Sequence, residues 1–208
     1  MTGENVNPIP NILTMIRLLL GVIMFLLLAG AAGGIPFFSN YLQPDDIFRM
    51  QRWAFYAFVL ASSTDFLDGW LARKLNAVSA WGAILDPIAD KILVCGTILG
   101  LFAFNIADPV MGLPCALILF REFAVSALRE AAADKGFKVP VSLLAKIKTT
   151  IQLVALGALL LAGSWSAFNF PPQYYSPVLA LSYVLILVAA FASLWTGAAY
   201  FIAARKSF

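Results

Sequence analysis

Residues 65–90 read DFLDGWLARKLNAVSAWGAILDPIAD. Four aspartates fall here, Asp65, Asp68, Asp86 and Asp90, and the chain on either side is mostly apolar. Asp65 and Asp68 stand three apart, and Asp86 and Asp90 four apart. In a helix, residues at those spacings share one face. Gly69 and Ala72 follow Asp68 on its face, and Gly82 precedes Asp86 by one turn. The stretch therefore reads as the end of one helix, a short link and the start of the next. Its two acidic faces can meet at one depth.

The apolar flanks are typical of the whole chain. Its 208 residues are 62% hydrophobic and 12% charged, with a mean hydropathy of +0.88. A soluble domain is roughly 45–50% apolar and about 25% charged. Too few polar side chains exist to cover a water-facing surface, so a bilayer is the expected solvent. A net charge of +3 gives no sign of a nucleic-acid partner. Histidine is absent, which excludes His-based catalysis and His-rich metal sites. Cys95 and Cys115 lie in apolar runs and read as small buried hydrophobes, not as a disulfide or a metal site.

A membrane-spanning helix needs about 20 mostly apolar residues. Six segments qualify if ionisable residues are tolerated inside them: 12–32, 48–74, 82–105, 109–133, 145–163 and 178–203. Turn chemistry separates them at Gly33-Gly34-Ile35-Pro36, Asp108-Pro109, Lys138-Val139-Pro140 and Pro171-Pro172 with Pro177. There is no internal repeat. The expectation is an all-α integral membrane protein, one domain over 1–208, with six transmembrane helices. Residues 1–11 are polar and broken by proline, and read as a short interfacial segment on the cytoplasmic surface. Small residues at 29–34 after an apolar run would also suit a cleaved signal peptide, but the only positive charge near that run is Arg17, which argues against it.

Lys and Arg set the orientation. With the amino terminus in the cytoplasm, Arg73, Lys74, Lys135, Lys138, Lys146, Lys148, Arg205 and Lys206 fall on that side, and only Arg49 and Arg52 on the other. Both termini are therefore expected to face the cytoplasm. Trp165, Tyr174 and Tyr175 read as interfacial anchors.

The acidic cluster is costly. A carboxylate at a helix centre costs roughly 2.5–3.5 kcal/mol on insertion scales. Two like charges about 4 Å apart repel by about 4 kcal/mol at an effective dielectric of about 20. Four carboxylates facing one another must be protonated or bound to cations. All-oxygen ligands favour hard ions such as magnesium or manganese, and a pair of such ions suits in-line displacement at phosphorus. Spacing alone leaves two other readings open: interfacial aspartates that cap helix ends, and an ion or proton pathway in a transporter. A transporter more often shows a repeat and acids near the midplane.

The pattern Asp65-x-x-Asp68-Gly69-x-x-Ala72-Arg73, eight residues, Gly82-x-x-x-Asp86-x-x-x-Asp90 resembles the signature of the CDP-alcohol phosphotransferase family at every fixed position. The resemblance implies that Asp65, Asp68 and Asp86 bind two divalent cations, Mg2+ or Mn2+. Asp90 would be the general base and a further metal contact. Gly69, Ala72 and Gly82 would leave room for the cytidine of the donor, and Arg73 would lie near its phosphates. Asn11, Thr14 and Arg17 would lie near the donor's polar head, although Arg17 also suits a side chain that reaches to the interface.

A second cluster is basic. Arg121 and Arg129 are eight residues apart on one predicted helix, and Lys146 and Lys148 open the next. Such a set suits a phosphorylated acceptor. The positive-inside rule alone also accounts for the lysines, and pairing with Glu122 or Glu130 for the arginines. The stretches 9–17, 121–130 and 146–152 resemble the branch of the family whose acceptor is glycerol 3-phosphate, with CDP-diacylglycerol as donor. The last helix carries no such likeness. The resemblance further implies a homodimer in the bacterial cytoplasmic (inner) membrane, with a site open to the cytoplasm and to membrane lipid. An inositol phosphate acceptor remains the alternative within the family.

Overall fold

The computed structural model describes residues 9–75, 80–104, 108–134, 136 and 143–205, with backbone alone at 9–10, 39, 66–75, 80–81, 83, 143–146 and 204. All regular structure among these residues is helical. Six α-helices follow in order: α1 (Ile9–Ala31), α2 (Pro44–Leu75), α3 (Ala80–Ala103), α4 (Gly112–Asp134), α5 (Leu143–Gly163) and α6 (Tyr175–Arg205). Their bounds lie within a few residues of the six expected segments. Residues 9–11 already belong to α1, and the rest of the expected interfacial segment lies outside the described residues.

Local chemistry sets the ends. At the end of α1, Gly33 takes a left-handed conformation (φ 77°). Its N–H donates to the Gly30 carbonyl at 3.0 Å, and that of Gly34 to the Ala29 carbonyl at 2.8 Å. This is a Schellman ending, in which glycine avoids the Cβ penalty of a left-handed backbone. Helix α2 opens on Pro44, with Asp45 and Asp46 in its first turn, where a fixed φ and negative charge suit the helix start. Asp108 caps the 3-10 turn Pro109–Met111 that leads into α4, accepting from Val110 N–H at 2.8 Å.

Among the described residues, three helices are long and apolar enough to cross a membrane by length and composition: Asn11–Ala31, Pro109–Asp134 and Pro172–Ala203. Ile147–Gly163 of α5 is apolar but shorter. Helices α2 and α3 carry the acidic stretch, with Asp65 and Asp68 on one and Asp86, Asp90 and Lys91 on the other.

The chain forms two compact units, Met1–Ile106 with Gly163–Phe170, and Ala107–Ala162 with Pro171–Phe208. In the first, α1 packs on both α2 and α3. The α1–α3 seam can be followed pair by pair. Thr14 meets Asp86, Arg17 meets Asp90, Thr97 meets Met24, and Gly21 and Gly100 lie against Leu93 and Leu28. The α1 positions 14, 17, 21, 24 and 28 step by three and four, which is the repeat of a parallel coiled-coil seam. Gly96-x-x-x-Gly100 supplies the close approach. A Cβ at Gly100 would stand 2.5 Å from Leu28 Cδ1 and 2.9 Å from its Cβ. Helix α2 runs the other way along α1, since Arg17 meets Asp65 while Gly30 meets Met50.

In the second unit, α4 packs against α6. Gly197 of α6 lies under Arg121, whose Cγ would be 3.0 Å from a Cβ at that glycine. Cys115 is buried and Cys95 half-buried, and neither forms a disulfide among the described residues.

Candidate active site

Three of the four aspartates can be placed in full. Asp65 lies on α2, and Asp86 and Asp90 lie one turn apart on α3. They converge on two residues of α1 that are three apart. Thr14 donates its hydroxyl to Asp86 Oδ1. Arg17 Nη1 reaches Asp90 Oδ1 at 2.8 Å and Asp65 Oδ1 at 3.2 Å. Thr14 and Arg17 are 2% and 1% exposed, while the Asp65 and Asp90 side chains keep 30% and 48% of their surface. The guanidinium therefore forms a buried floor, and the carboxylates look outward from it. Gly82 is buried one turn before Asp86, and Asn11 is half-buried one turn before Thr14. The side chains of Asp68, Ala72 and Arg73 lie outside the described residues, and Gly69 has its backbone alone.

Arg17 does not reach out to an interface, because it is buried under the acids. Its charge offsets part of theirs, a role that spacing within residues 65–90 could not show. Among the described residues, no group of three His, Cys, Asp or Glu side chains is arranged to hold a metal ion. The chemistry of the donor set nevertheless fits one. Asp65, Asp86 and Asp90 offer only carboxylate oxygens, and one guanidinium cannot balance three carboxylates.

The basic residues belong to the second unit. Arg121 is held on every nitrogen. Its Nε donates to the Ser193 carbonyl at 3.2 Å, Nη2 to Thr196 Oγ1 at 3.2 Å and Nη1 to Glu122 Oε1 at 3.3 Å. Its Cζ also stands 6.0 Å from the centre of the Tyr200 ring, within reach of a cation–π contact. Lys148, 3% exposed, donates to the same Glu122 oxygen. Gln152, one turn on, accepts from the Ser193 hydroxyl at 3.5 Å. Arg129 is exposed. The side chain of Lys146 lies outside the described residues. So Arg121 pairs with Glu122, as the pairing reading allowed, Lys148 joins the same carboxylate, which that reading did not include, and Arg129 faces outward. Ser193, Thr196, Gly197 and Tyr200 of α6 were missed. Their spacing of three, four and seven is a polar and small stripe on an apolar helix, and could have been read.

The family model described as CDP-alcohol phosphatidyltransferase matches residues 7–196. The chain belongs to that family. Its match takes in both clusters, the α1 residues Thr14 and Arg17 as well as the acidic stretch. The family generally uses divalent metal ions, in keeping with the all-oxygen donor set. Several similar proteins carry the name CDP-diacylglycerol–glycerol-3-phosphate 3-phosphatidyltransferase. That of Rickettsia felis is 43% identical over 151 residues, 73% of this chain and 78% of its own length. The Bacillus subtilis protein is 39% identical over 156 residues, 74% and 76% of the two chains. The Pseudomonas fluorescens protein is 35% identical over 199 residues, 94% and 89% of the two chains. Membership of a lipid-synthesis family, together with the three long apolar helices, makes this a membrane protein.

Proposed function

We propose that this CDP-alcohol phosphatidyltransferase moves the phosphatidyl group of CDP-diacylglycerol to glycerol 3-phosphate, giving phosphatidylglycerol phosphate and CMP. The observation that carries the reading is the convergence of Asp65, Asp86 and Asp90 on Arg17 and Thr14 of a membrane protein of this family. The names of the relatives support the choice of donor and acceptor.

Asp90 takes the proton of the acceptor hydroxyl, which is a poor nucleophile until that proton leaves. The hydroxyl oxygen then forms a bond to the phosphorus that bears the diacylglycerol. The pyrophosphate bond to CMP breaks, and CMP departs with the electron pair. Two divalent cations, Mg2+ or Mn2+, held by Asp65, Asp68, Asp86 and Asp90, would neutralise the pyrophosphate when bound. Arg17 steadies Asp65 and Asp90 from below, and Thr14 orients Asp86. Gly69, Ala72 and Gly82 give the cytidine room, and Arg73 meets its phosphates. Arg129 takes the acceptor phosphate in this reading, since Arg121 and Lys148 are already drawn onto Glu122.

The same reading makes α1 to α6 six membrane spans of one domain in the bacterial inner membrane, with both termini and the carboxylates at the cytoplasmic surface. It takes the homodimer as the working assembly. The test is CMP release by the detergent-purified protein with magnesium or manganese, comparing glycerol 3-phosphate, an inositol phosphate, serine and no acceptor. Release that needs both the metal and glycerol 3-phosphate is expected. Release with another acceptor would overturn the acceptor, and release with none would overturn the reaction.

A further inference from the structure

The start of α2 lies at the far end of that helix from the carboxylates. Asp45 precedes Asp65 by twenty residues, about 30 Å along a helix and close to the hydrocarbon thickness of a bilayer. If α2 crosses the membrane, as the proposed function has it, this end faces the opposite surface. A pocket of about 370 Å³ opens there, lined by Asp45, Phe48, Arg49, Arg52 and Asn169.

The pocket joins two segments remote in sequence. Arg52 Nη1 donates to the Ala167 carbonyl at 2.5 Å, tying residues 163–170 to α2. Phe168 packs edge-on against Phe55 and Tyr56, with ring centres 5.5 and 5.8 Å apart. Asn169 then turns the chain with a left-handed backbone (φ 54°, ψ 34°), a conformation that asparagine tolerates better than most residues. Arg49 is 63% exposed on its side chain and stands 3.6 Å from Asp46. That is beyond hydrogen-bond distance, so its guanidinium keeps donors for a ligand.

Two guanidiniums and one carboxylate give the lining a net charge of +1. Guanidinium forks match phosphate oxygens. The Asp45 carboxylate can accept from a hydroxyl or ammonium on the same ligand, and Phe48 adds an apolar wall. Exposed aromatics lie close by in sequence, with Phe37, Phe38 and Tyr41 before α2 and Trp53 and Tyr56 along it. Such residues belong at a membrane–water interface.

We propose that this pocket holds the phosphodiester headgroup of a phospholipid in the leaflet opposite the catalytic carboxylates. Arg49 and Arg52 take the phosphate, and Asp45 takes the hydroxyl or ammonium of glycerol or ethanolamine. The lipid is a resident of the bilayer and not a substrate, because the carboxylates lie a membrane thickness away.

The test is native mass spectrometry of the full chain in detergent, titrated with dioleoylphosphatidylglycerol. Arg49→Ala removes an exposed side chain and keeps the Arg52 link that ties the two segments. It should weaken retention of one lipid about tenfold, the loss expected for one charge-assisted contact. CMP release should be unchanged, which shows that the variant is folded. Asp90→Asn should retain the lipid as the unaltered chain does. Equal retention by Arg49→Ala would overturn the proposal, as would loss of the lipid in Asp90→Asn alone, which would put it at the catalytic site. Displacement by glycerophosphoglycerol at equal concentration would also overturn it, by making the pocket a site for soluble phosphodiesters. The readout does not use turnover, so it stands or fails apart from the assigned reaction.

Discussion

Replacing Arg17 with methionine keeps a long flexible side chain and removes the positive charge that lies beneath Asp65 and Asp90. Breaking a fully buried ion pair costs about 3–5 kcal/mol. Here Arg17 is buried, but the Asp65 and Asp90 side chains keep 30% and 48% of their surface. Water therefore screens part of the loss, and about 2–3 kcal/mol is expected. For a chain of this size that lowers the thermal midpoint by roughly 4–12 °C. The deficit should depend on metal. In a chelator, the carboxylates of Arg17→Met repel one another with no cation among them. Saturating magnesium or manganese supplies one, and binding to the folded state alone is stabilising. Thermal unfolding of the detergent-solubilised protein, followed by circular dichroism with and without metal, checks both parts. The variant should gain more from metal than the unaltered chain does. Equal gains would refute the view that Arg17 and the cations answer the same charge. Unfolding at the unaltered temperature in chelator would refute the ion pair itself.

Asp90→Asn should cut CMP release at least ~100-fold while donor and metal binding, measured by calorimetry, persist; normal turnover would remove Asp90 as the base. Arg129→Ala should raise KM for glycerol 3-phosphate about tenfold and leave KM for the donor unchanged. Gly100→Leu should lower the thermal midpoint, costing about 1–3 kcal/mol, because the new side chain would collide with Leu28. Gly112→Ala is the control, since nothing stands within 4 Å of its Cβ position.

Helix positions were legible because their signals are local. Gly33 and Gly34 end α1 by their own backbone geometry, and Asp108 and Pro109 open the turn before α4. Residues three and four apart placed each pair of aspartates on one face. Long-range pairings were not legible in the same way. Nothing within residues 65–90 says that a side chain at position 17 will lie between Asp65 and Asp90, since that follows from how α1, α2 and α3 pack. The α6 stripe at Ser193, Thr196 and Gly197 is hard to read in the sequence because the rest of that helix is apolar. It took the Arg121 hydrogen bonds to give the stripe a meaning.

The α1–α3 seam links packing to chemistry. Its steps from Thr14 to Leu28 pair with steps from Asp86 to Gly100, and the two helices run in the same direction. At one end the seam is small and apolar, with Gly96, Gly100, Met24 and Leu28 in contact. At the other end the same positions are polar, with Thr14 and Arg17 facing Asp86 and Asp90. Gly21 stands one turn from Arg17, and a Cβ there would be 3.6 Å from the Leu93 backbone, three residues past Asp90. Helices usually pack with axes 8–10 Å apart, and glycines bring them to the near end of that range or closer. The glycines thus fix how far the Arg17 guanidinium is from the Asp90 carboxylate. Clustered carboxylates need positive charge at a set distance. This fold supplies part of that charge by continuing one packing repeat from its apolar end into its polar end.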